Sequence, residues 1–176
     1  MKLVVGLGNP GDRYKKTRHN IWFTVINQFL DCNKIGNFSY DNKYGWEICV
    51  WNIDEEKTYF LKPMEYMNRS GQAVKKLMNF YKIETKDLLV IHDDIDLQVG
   101  KIQFKFWWWL AWHNGLKDIA EKIWSKDFAR VRIWIDRPIE QSQVSDYVLS
   151  NFKKEEIEKI WDNYLELEKI VFEFIK

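Results

Sequence analysis

Residues 1–20 have the sequence MKLVVGLGNPGDRYKKTRHN, and the rest of the chain is organised around this stretch. Residues 2–5 form a short and largely apolar run that stops at Gly6, a pattern typical of a buried strand. A glycine-rich loop over residues 6–11 comes next, and His19 follows shortly after it. A strand that delivers such a loop and a histidine to one edge of a sheet predicts a binding or catalytic site at that edge.

The glycines of this loop fit the spacing G-x-G-x-x-G, which is the dinucleotide-binding fingerprint. That motif requires a helix that opens at its last glycine, so that the pyrophosphate meets the helix N-terminus. Residues 12–18, DRYKKTR, have no apolar face at helical spacing, and Pro10 biases Asn9 away from helical geometry. The nearest candidate for the ribose-binding acid, Asp31, falls within a later helical segment. The residues therefore disfavour a nucleotide-binding oxidoreductase, which a nicotinamide-binding measurement would test.

The composition is that of one globular domain. The chain has 176 residues, of which 46% are hydrophobic and 30% charged, and its net charge is +1. Because the chain has no overall basicity, any nucleic-acid-binding surface must be local. Cys32 and Cys49 are too far apart for a C-x-x-C motif, which favours two reduced thiols in a cytoplasmic protein.

No stretch of the sequence predicts a membrane segment or a signal peptide. The longest aromatic run, residues 104–112, is interrupted by Lys105 and is too short to span a bilayer. The first residues lead directly into the predicted strand, with no apolar segment of signal-peptide length. We therefore expect a cytoplasmic protein without a membrane partner.

Strand-like and helix-like patterns alternate along the chain. Helices are predicted from residue 21 to 30 with Asn20 as a cap, over 70–81, from Asn114 to 123, and over 153–175. Strands are predicted over residues 2–5, 45–51, 57–61, 88–91, 101–106 and 131–135. This alternation predicts an α/β fold, a single domain over residues 1–176 with a twisted mixed β-sheet surrounded by helices.

The loops that follow the predicted strands hold nearly every residue that could do chemistry. They cover residues 8–19, 63–68, 92–96 and 107–114. In α/β sheets, ligands bind beyond the carboxyl ends of the strands. The sequence therefore predicts that these four loops converge on one site.

His19 is the best candidate for a general base, because an imidazole titrates near neutrality. Such a base needs an acceptor that orients its other nitrogen, and Asp93, at the end of a predicted buried strand, can supply one. The alternative is that His19 only caps the helix that follows it.

The acidic cluster of Asp93, Asp94 and Asp96, next to His92, raises the possibility of a site for a hard cation. No second acidic cluster or histidine pair in the sequence completes such a site, so we expect no metal. Asp94 and Asp96 are then expected to lie in a solvated turn.

Three asparagines recur in the converging loops: Asn9, Asn68 and Asn114. An amide offers both a donor and an acceptor, which suits holding a peptide backbone or stabilising an oxyanion. Taken singly, each asparagine is also a common turn or cap residue. Tyr14 lies in the same loop as His19.

Basic residues concentrate in the third quarter of the chain, where they are either solvated charges or contacts to nucleic-acid phosphates. They are Lys101, Lys105, Lys117, Lys122, Lys126, Arg130 and Arg132.

Five segments, in collinear order, resemble bacterial-type peptidyl-tRNA hydrolase. They are GLGNPGDRYKKTRHN, LKPMEYMNRSGQAV, HDDIDLQVGKI, HNGLKDI and VSDYVLSNF. The resemblance covers nearly the whole chain. It implies a monomeric enzyme, without metal or cofactor, that hydrolyses the ester between the peptide and tRNA in peptidyl-tRNA and releases both.

The resemblance also implies roles for particular residues. His19 would activate water and Asp93 would orient it, while the three asparagines would hold the peptidyl group and polarise the ester. Tyr14 would pack beside the ester or the terminal base of the tRNA, and Met67 and Leu97 are candidates for lining the peptide groove. Lys105 and Arg132 match family positions that contact tRNA phosphates.

Seven of the ten tryptophans stand where this family has glycine. They are Trp22, Trp107, Trp108, Trp109, Trp112, Trp124 and Trp134. Overpacking costs about 1–3 kcal/mol per site. Seven independent replacements would therefore consume a typical stability of about 5–15 kcal/mol.

A single cause accounts for these tryptophans better than seven independent substitutions do. We hypothesise that the source organism translates UGA as glycine; TGA codons at the seven positions would support this, and TGG codons would contradict it. Three other departures from the family pattern, Leu110, Ala111 and Asp136, have no such explanation. If the tryptophans are genuine and fill the groove, the alternative is a tRNA-binding homologue without activity.

Overall fold

A computed structural model describes residues 1–53, 55–96, 98–106, 110 and 113–176. The strands are β1 (Lys2–Gly6), β2 (Ser39–Asp41), β3 (Trp46–Ile53), β4 (Glu56–Pro63), β5 (Leu88–Asp94), β6 (Ile102–Phe106) and β7 (Ala129–Trp134). The helices are α1 (Ile21–Cys32), α2 (Ser70–Tyr81), α3 (Asn114–Ile123), α4 (Val144–Val148), α5 (Lys154–Asp162) and α6 (Tyr164–Ile175). The expectations for Leu97, Ala111, Trp107, Trp108, Trp109 and Trp112 lie outside the described residues.

In this part of the chain, seven strands form one sheet in the order β2-β3-β4-β1-β5-β7-β6. The four central strands, β4, β1, β5 and β7, run parallel to one another. The outer pairs, β2 with β3, β3 with β4, and β6 with β7, are antiparallel. The predicted α/β fold with a mixed sheet is confirmed.

Both faces of the central strands are buried, because helices cover the sheet on each side. Side chains alternate along a strand. Val4 of β1 accordingly packs with α1, α5 and α6, whereas Leu3 and Val5 pack with α2 and α3. The chain thus has two apolar layers, one on each face of β1.

Strand β5 extends three residues beyond the predicted end at Ile91. Its parallel register with β7 continues through His92, Asp93 and Asp94, which pair with Arg132, Ile133 and Trp134. The polar character of these residues predicted a loop, but their backbone groups remain in the ladder. Asp93 is therefore held by a strand rather than by a loop.

The predicted helix over residues 153–175 is in fact two helices, α5 and α6, that meet at Asn163. The side chain of Asn163 donates to the Lys159 carbonyl at 2.9 Å, a local bond that closes the end of α5. Asparagine side chains compete in this way with the backbone hydrogen bonds of a helix. The apolar periodicity continues across the break, so it did not reveal the break.

Candidate active site

The parallel strands β1, β4 and β5 end at the same edge of the sheet, and a cavity of about 460 Å³ opens there. Its lining includes all six predicted catalytic and substrate-binding residues: Asn9, Tyr14, His19, Asn68, Asp93 and Asn114. The predicted convergence of the loops after β1, β4 and β5 is thus observed. The segment that follows β6 is mostly outside the described residues, apart from Leu110 and its end at His113 and Asn114.

His19 and Asp93, 74 residues apart in sequence, form a hydrogen-bonded pair at this edge. His19 lies in a 3-10 turn, Arg18–Asn20, immediately before α1, and Asp93 lies near the end of β5. Nδ1 of His19 is 2.8 Å from each carboxylate oxygen of Asp93. Because Nδ1–H donates to Asp93, Nε2 keeps its lone pair and can accept a proton from water.

A second histidine, which the sequence analysis missed, shares the same carboxylate. Nε2 of His113 is 3.0 Å from Oδ1 of Asp93. Its Nδ1 accepts a hydrogen bond from the backbone N–H of Leu116 at 3.3 Å, so the ring proton must lie on Nε2. His113, and not Asn114, is therefore the N-cap of α3. The only feature of the sequence that pointed to a role for His113 was its position next to Asn114, one residue before the helix.

The two histidines fix the charge of Asp93. Burial by itself raises the pKa of this carboxyl group, but the neighbouring His19 and His113 outweigh that effect, and the net pKa lies well below its usual range. Asp93 is therefore a carboxylate at neutral pH. Burial, followed by the proximity of His113, lowers the pKa of His92, and its Nδ1 lies 2.8 Å from the Asp93 carbonyl oxygen. His92 is thus a neutral donor to the backbone.

Among the described residues, His19, Asp93 and His113 could together ligate a metal ion, since their ligand atoms lie within 4.8 Å of one another. In the observed arrangement, both imidazoles donate protons to the carboxylate. The three groups satisfy one another without an ion.

Asn9 is held in place by hydrogen bonds on its backbone and on its side chain. Its backbone N–H donates to Oδ1 of Asn20 at 2.9 Å, and its carbonyl accepts from Nδ2 of Asn20 at 2.7 Å. Asn20 is the N-cap residue of α1, as predicted, but its side chain makes no cap hydrogen bond, because its amide is used in these two bonds. Oδ1 of Asn9 accepts from the backbone N–H of Met67 at 2.8 Å. The amide nitrogen of Asn9 is therefore the group that remains for a ligand.

Asn68 and Asn114 are exposed and lie at the starts of two adjacent helices. Asn68 is in the 3-10 turn Met67–Arg69 before α2, and Asn114 is the first residue of α3. The N–H of Gly71 donates to Oδ2 of Asp118 at 2.7 Å, which joins the two helices near these ends. The packing of α2 against α3 thus determines the positions of the Asn68 and Asn114 side chains.

The two predicted phosphate-binding residues lie outside the cavity, on the antiparallel pair β6 and β7. The register places Lys105 opposite Arg130, and Arg132 follows two residues along the same face. Nη1 of Arg132 is 3.2 Å from Oδ2 of Asp94, so Arg132 also forms an ion pair.

Only one of the two aspartates expected in a solvated turn is solvated. Asp94 is buried at the end of β5, and burial raises its pKa. Asp96 is exposed and accepts from Arg137 at 2.7 Å. The expectation is wrong for Asp94, because β5 continues further than the sequence indicates.

Residues 3–176 match the family model for peptidyl-tRNA hydrolase. The chain belongs to the peptidyl-tRNA hydrolase family. A peptidyl-tRNA hydrolase of Oceanobacillus iheyensis is 41% identical over 165 residues, which cover 93% of this chain and 86% of that protein. One from Mesoplasma florum is 42% identical over 160 residues, covering 91% of this chain and 85% of that protein.

Solved structures agree with this assignment to the peptidyl-tRNA hydrolase family. The crystal structure of peptidyl-tRNA hydrolase from Acinetobacter baumannii superposes with a TM-score of 0.92 at 35% identity, over 99% of this chain and 88% of that one. None of the comparisons supports the alternative of an inactive tRNA-binding homologue. In the described part of the chain, no helix combines the length and apolarity needed to cross a membrane.

Proposed function

We propose that the chain hydrolyses the ester that joins the peptide to the terminal ribose of tRNA in peptidyl-tRNA. The observation that carries this proposal is the His19–Asp93 pair, which opens into a cavity lined by three asparagines in a member of this family. The reaction consumes one water and yields a free peptide carboxylate and a tRNA with its ribose hydroxyl restored.

His19 acts first as a base and then as an acid. Its Nε2 takes a proton from water, and the resulting hydroxide attacks the ester carbonyl carbon. Asp93 stabilises the imidazolium and keeps Nδ1 protonated throughout, since its carboxylate accepts from that nitrogen at 2.8 Å. When the tetrahedral intermediate collapses, the imidazolium returns the proton to the departing ribose oxygen.

The asparagines hold the peptidyl group and the developing oxyanion. The side-chain nitrogen of Asn9 is preorganised as a donor, because its oxygen is bound to Met67. Asn68 and Asn114 are exposed and offer both a donor and an acceptor to the peptide backbone. Tyr14, which also lines the cavity, packs beside the ester or the terminal base.

Lys105 and Arg132 contact tRNA phosphates on the surface of β6 and β7. Phosphate contacts carry no sequence information, which suits an enzyme that accepts many tRNAs. Lys105 is exposed and Arg132 is half-buried, whereas Arg130 on the same face is buried, so the first two would form the local basic surface on a chain of net charge +1.

We further infer that the chain acts as a monomer in the cytoplasm, without a cofactor or an obligate protein partner. Asp93 lies in the sheet, and the other cavity-lining groups named above lie in loops, turns and helix starts at the same sheet edge. A single domain over residues 1–176 is consistent with a family match that spans residues 3–176.

Replacement of His19 by alanine tests the proposal. We expect the kcat for deacylation of N-acetyl-aminoacyl-tRNA to fall by roughly 10²–10⁴-fold, because a positioned base contributes about that much. The affinity for tRNA should stay unchanged. The control, Lys105→Ala, should weaken tRNA binding and leave kcat nearly intact. Near-normal turnover in His19→Ala would contradict the mechanism.

A further inference from the structure

Resting on the proposed function, we propose that Arg18 is a positioning residue that sets the width of the peptide-binding cleft. It joins the turn that carries His19 to the segment after α4, and α4 forms one wall of the cavity.

Helix α4, which forms this wall, is not anchored by buried side chains of its own. None of the five residues of α4 is buried. Nevertheless Val144, Ser145 and Val148, with the adjacent Leu149, line the cavity into which His19 opens. Val144, with Ile95, also lines a second cavity of about 270 Å³, so the start of α4 borders both spaces. A short exposed helix in such a place must be held by contacts at its ends.

Arg18 supplies those contacts at the C-terminal end of α4. Its side chain is nearly fully buried, with 4% of the residue exposed. Nη1 donates to Oγ of Ser150 at 2.6 Å and to the Asn151 carbonyl at 2.7 Å. Its backbone N–H donates to the Ser150 carbonyl at 3.0 Å. A β-bridge between Thr17 and Asn151 continues this pairing.

A carboxylate from α5 fixes the other side of the guanidinium. Nη2 of Arg18 lies 2.9 Å and 2.7 Å from the two carboxylate oxygens of Glu156. The same carboxylate accepts from the backbone N–H of Lys153 at 2.6 Å, at the start of α5. A planar guanidinium can hold the 150–151 segment and Glu156 at once, which a lysine ammonium, as a single point charge, cannot do with the same geometry.

Two aromatic rings complete the enclosure. The guanidinium carbon lies 4.3 Å from the ring centroid of Tyr147, a residue of α4, and 5.2 Å from that of Phe152. The Tyr147 hydroxyl donates to the Ile135 carbonyl at 2.7 Å, just after β7. The wall is therefore attached to the sheet through Tyr147 and to the catalytic turn through Arg18.

This arrangement predicts an effect on peptide binding rather than on the chemical step. Arg18 does not line the cavity, whereas its neighbour His19 and the residues of α4 do. His19 keeps its own bond to Asp93, so loosening Arg18 should move the wall more than the base. A peptide long enough to reach α4 should be affected more than a single acylated amino acid.

The test compares Arg18→Lys and Glu156→Gln with the wild type on two substrates, tripeptidyl-tRNA and N-acetyl-aminoacyl-tRNA. We expect the KM for tripeptidyl-tRNA to rise roughly tenfold, equivalent to about 1.4 kcal/mol of binding. The KM for the shorter substrate and both kcat values should change little. Glu156→Gln keeps the shape of the side chain that binds Arg18 but removes its charge. If Arg18→Lys does not fold, the KM values of Glu156→Gln test the positioning role.

Lys2→Met is the matched control. It breaks a partly buried ion pair, between Lys2 and Asp87 at 2.9 Å, that does not border the cavity. It should lower thermal stability without changing either KM. Unchanged KM values in folded Arg18 and Glu156 variants, or an equal fall in kcat on both substrates, would overturn the positioning role. A wild-type chain that hydrolyses neither substrate would instead overturn the proposed function.

Discussion

At the scale of single residues, the site depends on the protonation states of two histidines around one carboxylate. His19 donates from Nδ1 and His113 from Nε2, and both donate to Asp93. The cap formed by His113 on Leu116 fixes which of its nitrogens carries the proton. His113 therefore acts on the base through Asp93, its ring also contacts that of His19 at 5.1 Å between centroids, and it supports α3.

Two substitutions separate these roles of His113. Asparagine is a favoured N-cap residue but is too short to replace the Nε2 donor, whereas alanine provides neither function. We expect His113→Asn and His113→Ala to lower kcat alike, because Asp93 loses a donor and its pKa moves back toward the usual range. Both variants lose the bond to buried Asp93, but His113→Ala also loses the cap and should be about 1 kcal/mol less stable than His113→Asn in denaturant unfolding. Full activity in both variants would show that the second donor is dispensable.

Three of the seven tryptophans that the resemblance places at glycine positions, Trp22, Trp124 and Trp134, lie in the described part of the chain. Trp124 ends α3 in a left-handed conformation, with φ at 57°, where glycine is preferred. Trp22 and Trp134 are buried, and in the described structure their indole N–H groups have no acceptor. Buried indoles usually find one. The left-handed backbone at Trp124 supports the hypothesis that glycine is incorporated there. The missing acceptor does not distinguish Trp22 and Trp134 from Trp46, which is not one of the seven positions and also has no acceptor in the described structure.

Asp136, one of the three departures that the codon hypothesis did not cover, has a local explanation. Its φ is 69°, and Oδ1 accepts from the backbone N–H of Arg137 at 2.9 Å. Aspartate is among the few residues that adopt this conformation readily. It therefore fits the left-handed backbone of this turn.

At the scale of elements, the site depends on how closely α2 approaches α3. Gly71 is buried at the start of α2, and a Cβ there would collide with the backbone carbonyl of Asp118 in α3. Backbone cannot move aside as a side chain can. The starts of these helices carry Asn68 and Asn114, so the same contact that stabilises the fold also spaces the two amides.

Gly71→Ala should therefore affect both stability and activity. We expect a loss of about 1–3 kcal/mol in the free energy of unfolding, as for overpacking elsewhere, and a lower kcat/KM. Gln72→Ala, one residue further along α2 and exposed, is the control and should stay within about 0.5 kcal/mol. Equal free energies of unfolding for the two variants would mean that α2 and α3 can move apart without loss of stability, which would contradict this prediction.

Elements with strong periodicity were predictable, and those defined by tertiary contacts were not. The pattern of α2 predicted its bounds, residues 70–81, because its apolar face repeats at helical spacing. Strand β2 and helix α4 are short and bury none of their residues, so no apolar pattern marks them. The extension of β5 to Asp94 depends on its pairing with β7, which lies far away in the sequence.

At the scale of the whole molecule, the sheet brings together groups from distant parts of the chain. His19 follows β1 and Asp93 lies near the end of β5, and these strands are neighbours in the sheet. The residue types and the strand ends made this pair predictable. The role of His113 was not, since it depends on the angle at which α3 meets the sheet. The contacts of Arg18 were missed because its partners lie more than 130 residues away.

The most direct test of the central claim is the kcat of Asp93→Asn for deacylation of peptidyl-tRNA. Asparagine preserves the shape at the end of β5 but presents an amide in place of a carboxylate, so it no longer holds His19 with Nδ1 protonated and stabilises no imidazolium. We predict that kcat falls by roughly 10²–10⁴-fold while tRNA binding is retained. A kcat close to that of the wild type would contradict the account of His19 as a base oriented by Asp93.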